Sequence, residues 1–217
     1  MFDDRTEAGR RLADRLGSLA GGDIVVFALP RGGVPVAAPI AERLSAPLDL
    51  VLVRKIGAPW QPELAIGAVT DGIEPECVFN QEIIRGLDVS EAEIDRISAR
   101  EKAEIERRRN LYLKGRPRVE ARGRTLIIVD DGIATGATMK VALKALKRHE
   151  PARMILAVPV ASPEVIADLK SLTDEVFCLE SSSYFAGVGA IYRHFPQVSD
   201  TEVIAVFDHF PPSRTVE

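Results

Sequence analysis

The chain has 217 residues, of which 46% are hydrophobic and 28% are charged, and its formal net charge is −4 at pH 7. This composition is that of an ordinary globular protein with a core of useful size, and it excludes collagen-like, low-complexity and disordered chains. The acidic balance argues against a dedicated nucleic-acid-binding protein, because such proteins are usually basic.

The sequence also predicts where the protein is located and whether its cysteines are oxidised. No stretch approaches the ~20 consecutive apolar residues of a membrane-spanning helix. The first residues, MFDDRTEAGRR, are too polar and acidic for a secretory signal, so we expect a cytoplasmic protein with no membrane partner. Cys77 and Cys178 lie in apolar, strand-like runs and are expected to be buried, reduced thiols.

Predicted strands and helices alternate along the chain. A first helix is predicted over 5–19 from apolar residues at helical spacing. The predicted strands, most of them continuous aliphatic runs, cover 24–29, 48–53, 63–69, 77–80, 126–130, 154–160 and 175–179. The other predicted helices cover 34–44, 90–112, 137–149, 164–171 and 199–209. This alternation predicts an α/β fold with a doubly wound, mainly parallel sheet, in a single domain over 1–217.

The helix over 90–112 is inserted into this pattern and is strongly charged. Ser90 and Glu93 form a capping-box pattern at its start. Its apolar stripe is narrow and consists of Ile94, Ile97 and Ile105. The helix therefore either covers the edge of the sheet or meets a second subunit, which leaves a homodimer open.

The stretch TLIIVDDGIATGAT (125–138) carries the strongest chemical signal. A buried strand ends on two adjacent acids, Asp130 and Asp131, at the sheet edge where doubly wound folds bind ligands. The loop then enters a helix, so that its backbone N–H groups form an anion cradle beside the hydroxyls of Thr135 and Thr138. A sugar phosphate would satisfy both the acids and the cradle, whereas the P-loop and GxGxxG spellings are absent. The alternative is an acidic turn without a ligand.

LIIVDDGIATGAT resembles the signature of type I phosphoribosyltransferases, and the likeness extends over nearly the whole chain. It is closest to a group of uncharacterised, predicted phosphoribosyltransferases. The resemblance implies a Rossmann-like fold with a small C-terminal hood at about 181–197. It also implies that Asp130 and Asp131 hold the ribose hydroxyls of phosphoribosyl pyrophosphate (PRPP). The implied ribose and 5-phosphate loop consists of Gly132, Ile133, Ala134, Thr135, Gly136, Ala137 and Thr138.

Two further loops are predicted at the same edge. In ALPRGGVPVA (28–37) the resemblance assigns pyrophosphate binding to Arg31, Gly32 and Gly33, with a non-proline cis peptide at Pro30–Arg31 or Arg31–Gly32. The alternative is a tight turn that requires glycines.

The second loop, RKIGAPWQP (54–62), begins with two adjacent cations. By resemblance, Arg54 and Lys55 bind pyrophosphate, residues 57–62 form part of a lid, and Glu63 is the candidate general base. The alternatives are a solvated loop and an exposed structural glutamate.

The acceptor would lie under SSSYFAGVGAIYRHFPQ (181–197), which holds four aromatics. Tyr184, Phe185 and Tyr192 are the predicted acceptor-binding residues, with Phe185 in the stacking position of the purine-salvage hood. Tyr192 stands where that branch carries an acid, and packing of these aromatics against the core is the alternative.

From Arg107 to Arg124 there are eight cations and one acid. A nucleic-acid or polyphosphate patch is conceivable, but solvated surface is favoured, because several of these cations lie near a helix carboxyl end or opposite the predicted site.

The predicted function is a magnesium-dependent transfer of the phosphoribosyl group of PRPP to a nitrogen of a small, nucleobase-like acceptor, with release of pyrophosphate. Mg²⁺ would be held mainly through PRPP, with Asp130 or Asp131 as a further ligand. The alternative is a non-catalytic PRPP- or nucleotide-binding regulatory protein of the same fold.

Overall fold

The computed structural model describes residues 1–71, 76–181 and 187–210. In chain order the strands are β1 (Ile24–Ala28), β2 (Leu48–Leu50), β3 (Val53–Ala58), β4 (Gln61–Thr70), β5 (Glu76–Phe79), β6 (Thr125–Val129), β7 (Arg153–Ala161) and β8 (Glu175–Ser181). The helices are α1 (Arg5–Leu16), α2 (Gly33–Leu44), α3 (Gln81–Gly86), α4 (Glu91–Leu113), α5 (Ala137–Lys147), α6 (Pro163–Lys170) and α7 (Asp200–His209).

Five strands form a parallel sheet in the order β2-β1-β6-β7-β8, covered on both faces. Successive side chains of a strand point to opposite faces. Val26 and Ile127 accordingly pack with α1, α2 and α7, whereas Val25 and Ile128 pack with α5 and α6. The predicted doubly wound α/β sheet is therefore confirmed. Its strands are continuous aliphatic runs because both faces of the sheet are covered by helices.

The strand order places a topological switch point between β1 and β6. From β1 the chain goes to β2 on one side, and the later strands β6, β7 and β8 follow on the other. The loops that leave β1 and β6 therefore diverge at the carboxyl edge of the sheet, and the crevice between them is where folds of this kind bind ligands. Both loops that the sequence singled out as anion cradles begin there.

A second sheet corrects the prediction for residues 48–69. β3, β4 and β5 form a three-stranded antiparallel sheet, and 54–62, predicted as a loop, is a hairpin that turns at Pro59 and Trp60. The predicted strand 48–53 is divided because the Leu52 N–H bonds to the Asp71 carboxylate at 2.8 Å instead of a strand partner. The buried Ile56 and Ile66 hold the hairpin on the core.

Helix α4 begins with the predicted capping box, in which Ser90 and Glu93 each bond to the other's backbone. Its narrow apolar stripe packs into the core beside β3, β4 and α7, with Ile105 fully buried. Of the two alternatives for this stripe, the structure shows the first, in which it covers sheet within the chain.

The basic stretch 107–124 is a solvated surface only in part. Arg109 is 6% exposed and donates to Asp49 at 3.0 Å and to Asp71 at 2.7 Å. Arg118 donates to Asp71 as well, at 3.0 Å. The expectation of a solvated face is therefore wrong for Arg109, whereas Arg118 is half-buried. They form a buried ion network that joins β2, the end of β4, α4 and the segment that follows it.

Candidate active site

The helices that leave the switch point begin differently from the others. α1, α3, α4, α6 and α7 each start with a side-chain oxygen that accepts a backbone N–H, from Asp4, Asn80, Ser90, Ser162 and Ser199 respectively. α2 and α5 start after Gly32 and Gly136, which have no side chain to cap the helix. At α5 the Ala137 N–H makes only a long contact with Thr135 Oγ1, at 3.5 Å. The first amides of a helix need an acceptor. In α2 the Gly33 and Val34 N–H groups already donate to backbone carbonyls of the preceding loop, at 2.9 and 3.2 Å. In α5 a bound anion can accept the N–H groups of Thr138 and Met139.

The loop from β6 to α5 has the shape of a phosphate cradle. Gly132 (φ 155°) and Gly136 (φ 74°) adopt backbone conformations that side chains disfavour, and they turn the chain into the helix. Ile133 anchors the loop, since its N–H donates to the Val160 carbonyl at 2.9 Å. Ala134, Thr135, Ala137 and Thr138 are all exposed. Small residues and hydroxyls thus surround the free start of α5.

The two acids of this loop have different surroundings. Asp131 accepts the Nε–H of Arg5 at 2.8 Å, and its backbone carbonyl accepts the Tyr192 hydroxyl at 2.7 Å. Asp130 accepts the Asp131 N–H at 2.9 Å and has no ion-pair partner among the described residues. Burial and the neighbouring Asp131 charge raise the pKa of Asp130 well above its ordinary value. Asp130 is half-buried, and a bound cation or hydroxyl donor would stabilise its ionised form, which burial disfavours.

The loop from β1 to α2 meets the acidic turn directly. The Pro30–Arg31 peptide is cis, at one of the two positions that the family resemblance implied. A Cβ on Gly32 would lie 2.1 Å from Asp131 Oδ2, and one on Gly33 would lie 2.6 Å from the Val129 carbonyl. Only glycines allow this approach, which brings the predicted ribose and pyrophosphate loops into contact.

The Arg31 side chain extends toward α7, where its Nη1 lies 3.4 Å from Asp200 Oδ1. Tyr112 donates to the same carboxylate oxygen at 2.7 Å. Burial, together with this hydrogen bond, raises the pKa of Tyr112 to about 12. Arg31 thus links two parts of the site: its backbone lies in the β1 loop, and its guanidinium pairs with Asp200 of α7.

The predicted cations of the hairpin are not brought together. Arg54 and Lys55 are consecutive in β3, so their side chains lie on opposite faces of the strand. Arg54 pairs with Glu101 of α4, and Lys55 pairs with Glu63 at 3.0 Å. The Glu63 side chain is 94% exposed. In this conformation the two cations face different partners, and the roles predicted for them and for Glu63 stay predictions.

The C-terminal part of the site is described from Gly187 onward, so Tyr184 and Phe185 lie outside the described residues. Tyr192 is 6% exposed, and its ring packs against Phe2 and Phe195 with centroid distances of 5.7 and 4.9 Å. Val188 contacts the Gly132 backbone, where a Cβ would lie 2.6 Å from Cγ1. The segment that begins at Gly187 therefore rests on the acidic turn. The role predicted for Tyr192 in acceptor binding is untested.

Sequence reasoning missed Arg5, Phe195, Tyr112 and Asp200. Arg5 lies in an ordinary amphipathic helix 126 residues before its partner Asp131, so no local pattern could indicate it. Tyr112 and Asp200 also meet only in the folded chain, 88 residues apart.

In the described parts of the chain no group of three or more His, Cys, Asp or Glu side chains could hold a metal ion. Both cysteines are free and half-buried. None of the described helices is both long enough and apolar enough to span a bilayer.

An acidic pair beside a glycine-started helix, at the switch point of a parallel sheet, is an arrangement with which α/β folds bind phosphate esters. The chain belongs to the phosphoribosyl transferase domain family, whose sequence profile matches residues 72–192. The predicted family is thus confirmed.

Two relatives extend this comparison. The chain is 46% identical over 209 residues to a protein provisionally named a phosphoribosyl transferase in Mycobacterium tuberculosis strains H37Rv and CDC 1551, covering 96% of this chain. This chain spans only 46% of the length of that relative. The crystal structure of TT1426 from Thermus thermophilus is 42% identical, with a TM-score of 0.82, over 97% of this chain and 99% of that one. The fold expected for a type I phosphoribosyltransferase is confirmed.

Proposed function

We propose that the chain binds PRPP at the switch point and transfers its phosphoribosyl group to a nitrogen of a small, nucleobase-like acceptor, releasing pyrophosphate. The observation that carries the proposal is the start of α5 beside Asp130, where the glycine at the N-cap leaves the N–H groups of Thr138 and Met139 without a side-chain acceptor among the described residues. The same turn offers N–H donors to a phosphate and an open carboxylate to a sugar hydroxyl. A bare phosphate would not require the carboxylate, and a nucleobase would require neither.

Each loop then has a part in the reaction. The β6–α5 loop holds the 5-phosphate, and Asp130 accepts hydrogen bonds from the ribose hydroxyls, which fixes C1 above the crevice. The backbone of the β1 loop, which packs against the acidic turn through Gly32 and Asp131, would hold the pyrophosphate. As the bond to C1 breaks, negative charge grows on that pyrophosphate, and preorganised N–H donors stabilise it.

Magnesium fits this site as an ion carried by the ligand. Mg²⁺ prefers oxygen ligands and is usually bound through phosphates with one or two carboxylates, and Asp130 is the carboxylate of the described site that has no cation partner. When bound, the ion would neutralise charge on the leaving pyrophosphate.

The acceptor side of the proposed site lies at the C-terminal segment. Residues 187–196 lie on the acidic turn, with Val188 in contact with Gly132. We place the acceptor in front of this segment, with Phe185 and Tyr184 as candidates to cover its ring. Tyr192 would not contact the acceptor but would hold the acidic turn in place, since its hydroxyl already donates to the Asp131 carbonyl.

A non-catalytic PRPP-binding protein is the second candidate. Arg54 and Lys55, the cations proposed for pyrophosphate, are each paired with an acid in this structure. If those pairs persist when PRPP is bound, the leaving group receives no cationic side chain from the hairpin, and binding would occur without turnover.

The deciding experiment incubates the pure chain with PRPP, Mg²⁺ and a panel of purines, pyrimidines and small amides, and measures pyrophosphate release. PRPP affinity is measured in parallel by calorimetry. We expect release with at least one acceptor, and we expect Asp130→Asn to weaken PRPP binding by ~1–3 kcal/mol through loss of charged hydrogen bonds. Asp208→Asn, which removes an exposed carboxylate paired with Lys114, is the matched control.

The outcomes separate the candidates. Tight PRPP binding without pyrophosphate release from any acceptor supports the non-catalytic protein. Absence of PRPP binding, or equal affinity for the Asp130→Asn and Asp208→Asn variants, contradicts the proposed site.

A further inference from the structure

An ion pair at the rim of the site joins the β1 loop to the last helix, and its role deepens the proposed function, on which this inference rests. We propose that Asp200 is a specificity-determining residue that competes with pyrophosphate for the Arg31 guanidinium. It thereby sets how strongly the site prefers PRPP to ribose 5-phosphate. Tyr112 limits this competition, because it donates to the same carboxylate oxygen that faces Arg31.

Asp200 lies beside the crevice because of the segment that precedes it. The Pro196 carbonyl accepts a hydrogen bond from Arg5 at 2.7 Å, and Arg5 also pairs with Asp131 of the acidic turn. Helix α7 begins shortly after Pro196, at Asp200. Arg31 reaches the same rim from the β1 loop, whose next residue, Gly32, packs against Asp131.

The contact between Arg31 and Asp200 is loose. Nη1 of Arg31 lies 3.4 Å from Oδ1 of Asp200, whereas a strong charge-assisted hydrogen bond measures about 2.7–2.9 Å. The two side chains are 35% and 47% exposed to solvent. Exposed ion pairs are weak, so a ligand with a higher negative charge can draw the guanidinium away.

The contact between Tyr112 and Asp200 is the firmer one. The Tyr112 hydroxyl donates to Oδ1 of Asp200 at 2.7 Å, and Tyr112 itself is 3% exposed. This hydrogen bond lowers the pKa of Asp200, so the carboxylate is ionised near neutral pH. Asp200 is not needed to start α7, because Ser199 and Glu202 form the capping box of that helix.

Pyrophosphate offers Arg31 a better partner than Asp200 does. It carries more negative charge, and the planar guanidinium can bind two phosphate oxygens at once. When Arg31 moves to the ligand, Asp200 keeps its bond to Tyr112 and remains in contact with water, so no buried charge is left unpaired. Ribose 5-phosphate has no group that attracts Arg31 away. The pair therefore opposes the binding of PRPP and not that of ribose 5-phosphate.

The test measures the affinities of PRPP and ribose 5-phosphate by calorimetry in the presence of Mg²⁺, alongside the melting temperature of each variant. For the unaltered chain we expect a preference for PRPP. Asp200→Asn should raise this preference about three- to fivefold, as expected for the loss of an exposed ion pair. Asp208→Asn, which removes an exposed carboxylate of the same helix, is the control and should leave the preference unchanged.

Tyr112→Phe should have the opposite effect and lower the preference for PRPP, because Oδ1 of Asp200 is then free to approach Arg31 more closely. This variant is independent of Asp200→Asn and tests the inference if that variant does not fold. A merely structural role of Tyr112 would lower the melting temperature and leave the ratio of the two affinities unchanged.

Arg31→Met separates competition for the guanidinium from simple repulsion between Asp200 and the ligand. It should lower the preference for PRPP at least about tenfold. Adding Asp200→Asn to it should then change the preference less than about twofold, because the two residues act through one contact.

Two results would overturn the inference in a chain that binds PRPP. One is an equal gain from Asp200→Asn with and without Arg31, and the other is an unchanged or lower preference in Asp200→Asn itself. Failure of the unaltered chain to bind PRPP would instead contradict the proposed site, and the inference with it.

Discussion

At the scale of single residues, the switch point depends on how closely Gly32 approaches Asp131. Gly32 has a φ of −62° and a ψ of −35°, which alanine also adopts readily, so conformation does not require a glycine here. Space does, because a Cβ would lie 2.1 Å from Asp131 Oδ2. The Arg5 pair prevents the carboxylate from simply rotating away.

Gly32→Ala should therefore displace Asp131 and weaken ribose 5-phosphate binding at least about tenfold, as measured by calorimetry. Gly86→Ala is the matched control, since this exposed helical glycine has no atoms near the position of a new Cβ. It should leave binding unchanged and stabilise α3 by up to ~1 kcal/mol. Equal binding by both variants would mean that the two loops do not touch.

Two buried tyrosines provide a pH-dependent signal. Burial and the hydrogen bond to Asp200 raise the pKa of Tyr112 to about 12, and burial raises the pKa of Tyr192 as well. The folded state therefore favours the neutral phenols, and this contribution to stability is complete below pH 10 and is lost as pH rises through about 12.

We expect most of the tyrosinate absorbance of the folded chain to appear well above pH ~10, the ordinary pKa of tyrosine, because Tyr112 and Tyr192 are two of its three tyrosines. Tyr112→Phe should remove the component that titrates near pH 12. Titration of all three tyrosines together near pH 10, in a chain that circular dichroism shows to be folded, would contradict the buried contacts.

At the scale of elements, the ion network around Arg109 joins the two sheets. Asp49 lies in β2, Asp71 follows β4, and Arg109 comes from α4. Asp71 also accepts the Leu52 N–H, at the point where the chain leaves the parallel sheet for the hairpin. The network thus sets the position of the hairpin that carries Arg54 and Lys55.

Arg109→Met should lower the free energy of unfolding by about 3–5 kcal/mol, because it leaves the buried Asp49 without a cation and leaves Asp71 only with the half-buried Arg118. Arg107→Met, two residues along the same helix, removes only an exposed pair with Glu104 and should cost less than about 1 kcal/mol. Urea denaturation measures both. A similar, small loss for the two variants would show that the network is hydrated and dispensable.

The elements differ in how well the sequence predicts them. The helices from α4 onward and the strands β6, β7 and β8 follow directly from capping residues and continuous aliphatic runs, within a few residues at each end. The hairpin was missed because Pro59, Trp60 and Pro62 have the composition of a loop, and because the run LDLVLV gives no sign that it crosses between two sheets. That crossing depends on the tertiary bond from Leu52 to Asp71, which no local pattern contains.

The site shows the same division. Its loops were predictable because a glycine, an acid or a hydroxyl at a strand end has a local physical meaning. The role of Arg5 was not predictable, because a single arginine in an amphipathic helix carries no local signal, and its partner is brought near only when the chain folds.

At the scale of the whole molecule, ligand binding and stability should be linked. PRPP at 100 times its dissociation constant adds about 2.7 kcal/mol of stability, which raises the melting temperature of a chain of this size by about 5–10 °C. We expect this shift in the presence of Mg²⁺ and a smaller one after EDTA treatment, measured by calorimetric or fluorescence melting. Adenine or guanine alone, as the control, should produce much less. No shift at saturating PRPP would contradict the proposed ligand.

The contrast between helices that cap themselves and the two that start at glycine has a dynamic consequence. Amides without an acceptor exchange with solvent more readily than capped ones, so in the free protein the first turn of α5 should exchange its hydrogens faster than the Ser-capped first turns of α4, α6 and α7. Occupation of the crevice should reverse that order. The amides of Thr138 and Met139 would then serve as reporters of the bound anion, readable by deuterium uptake before any acceptor is known.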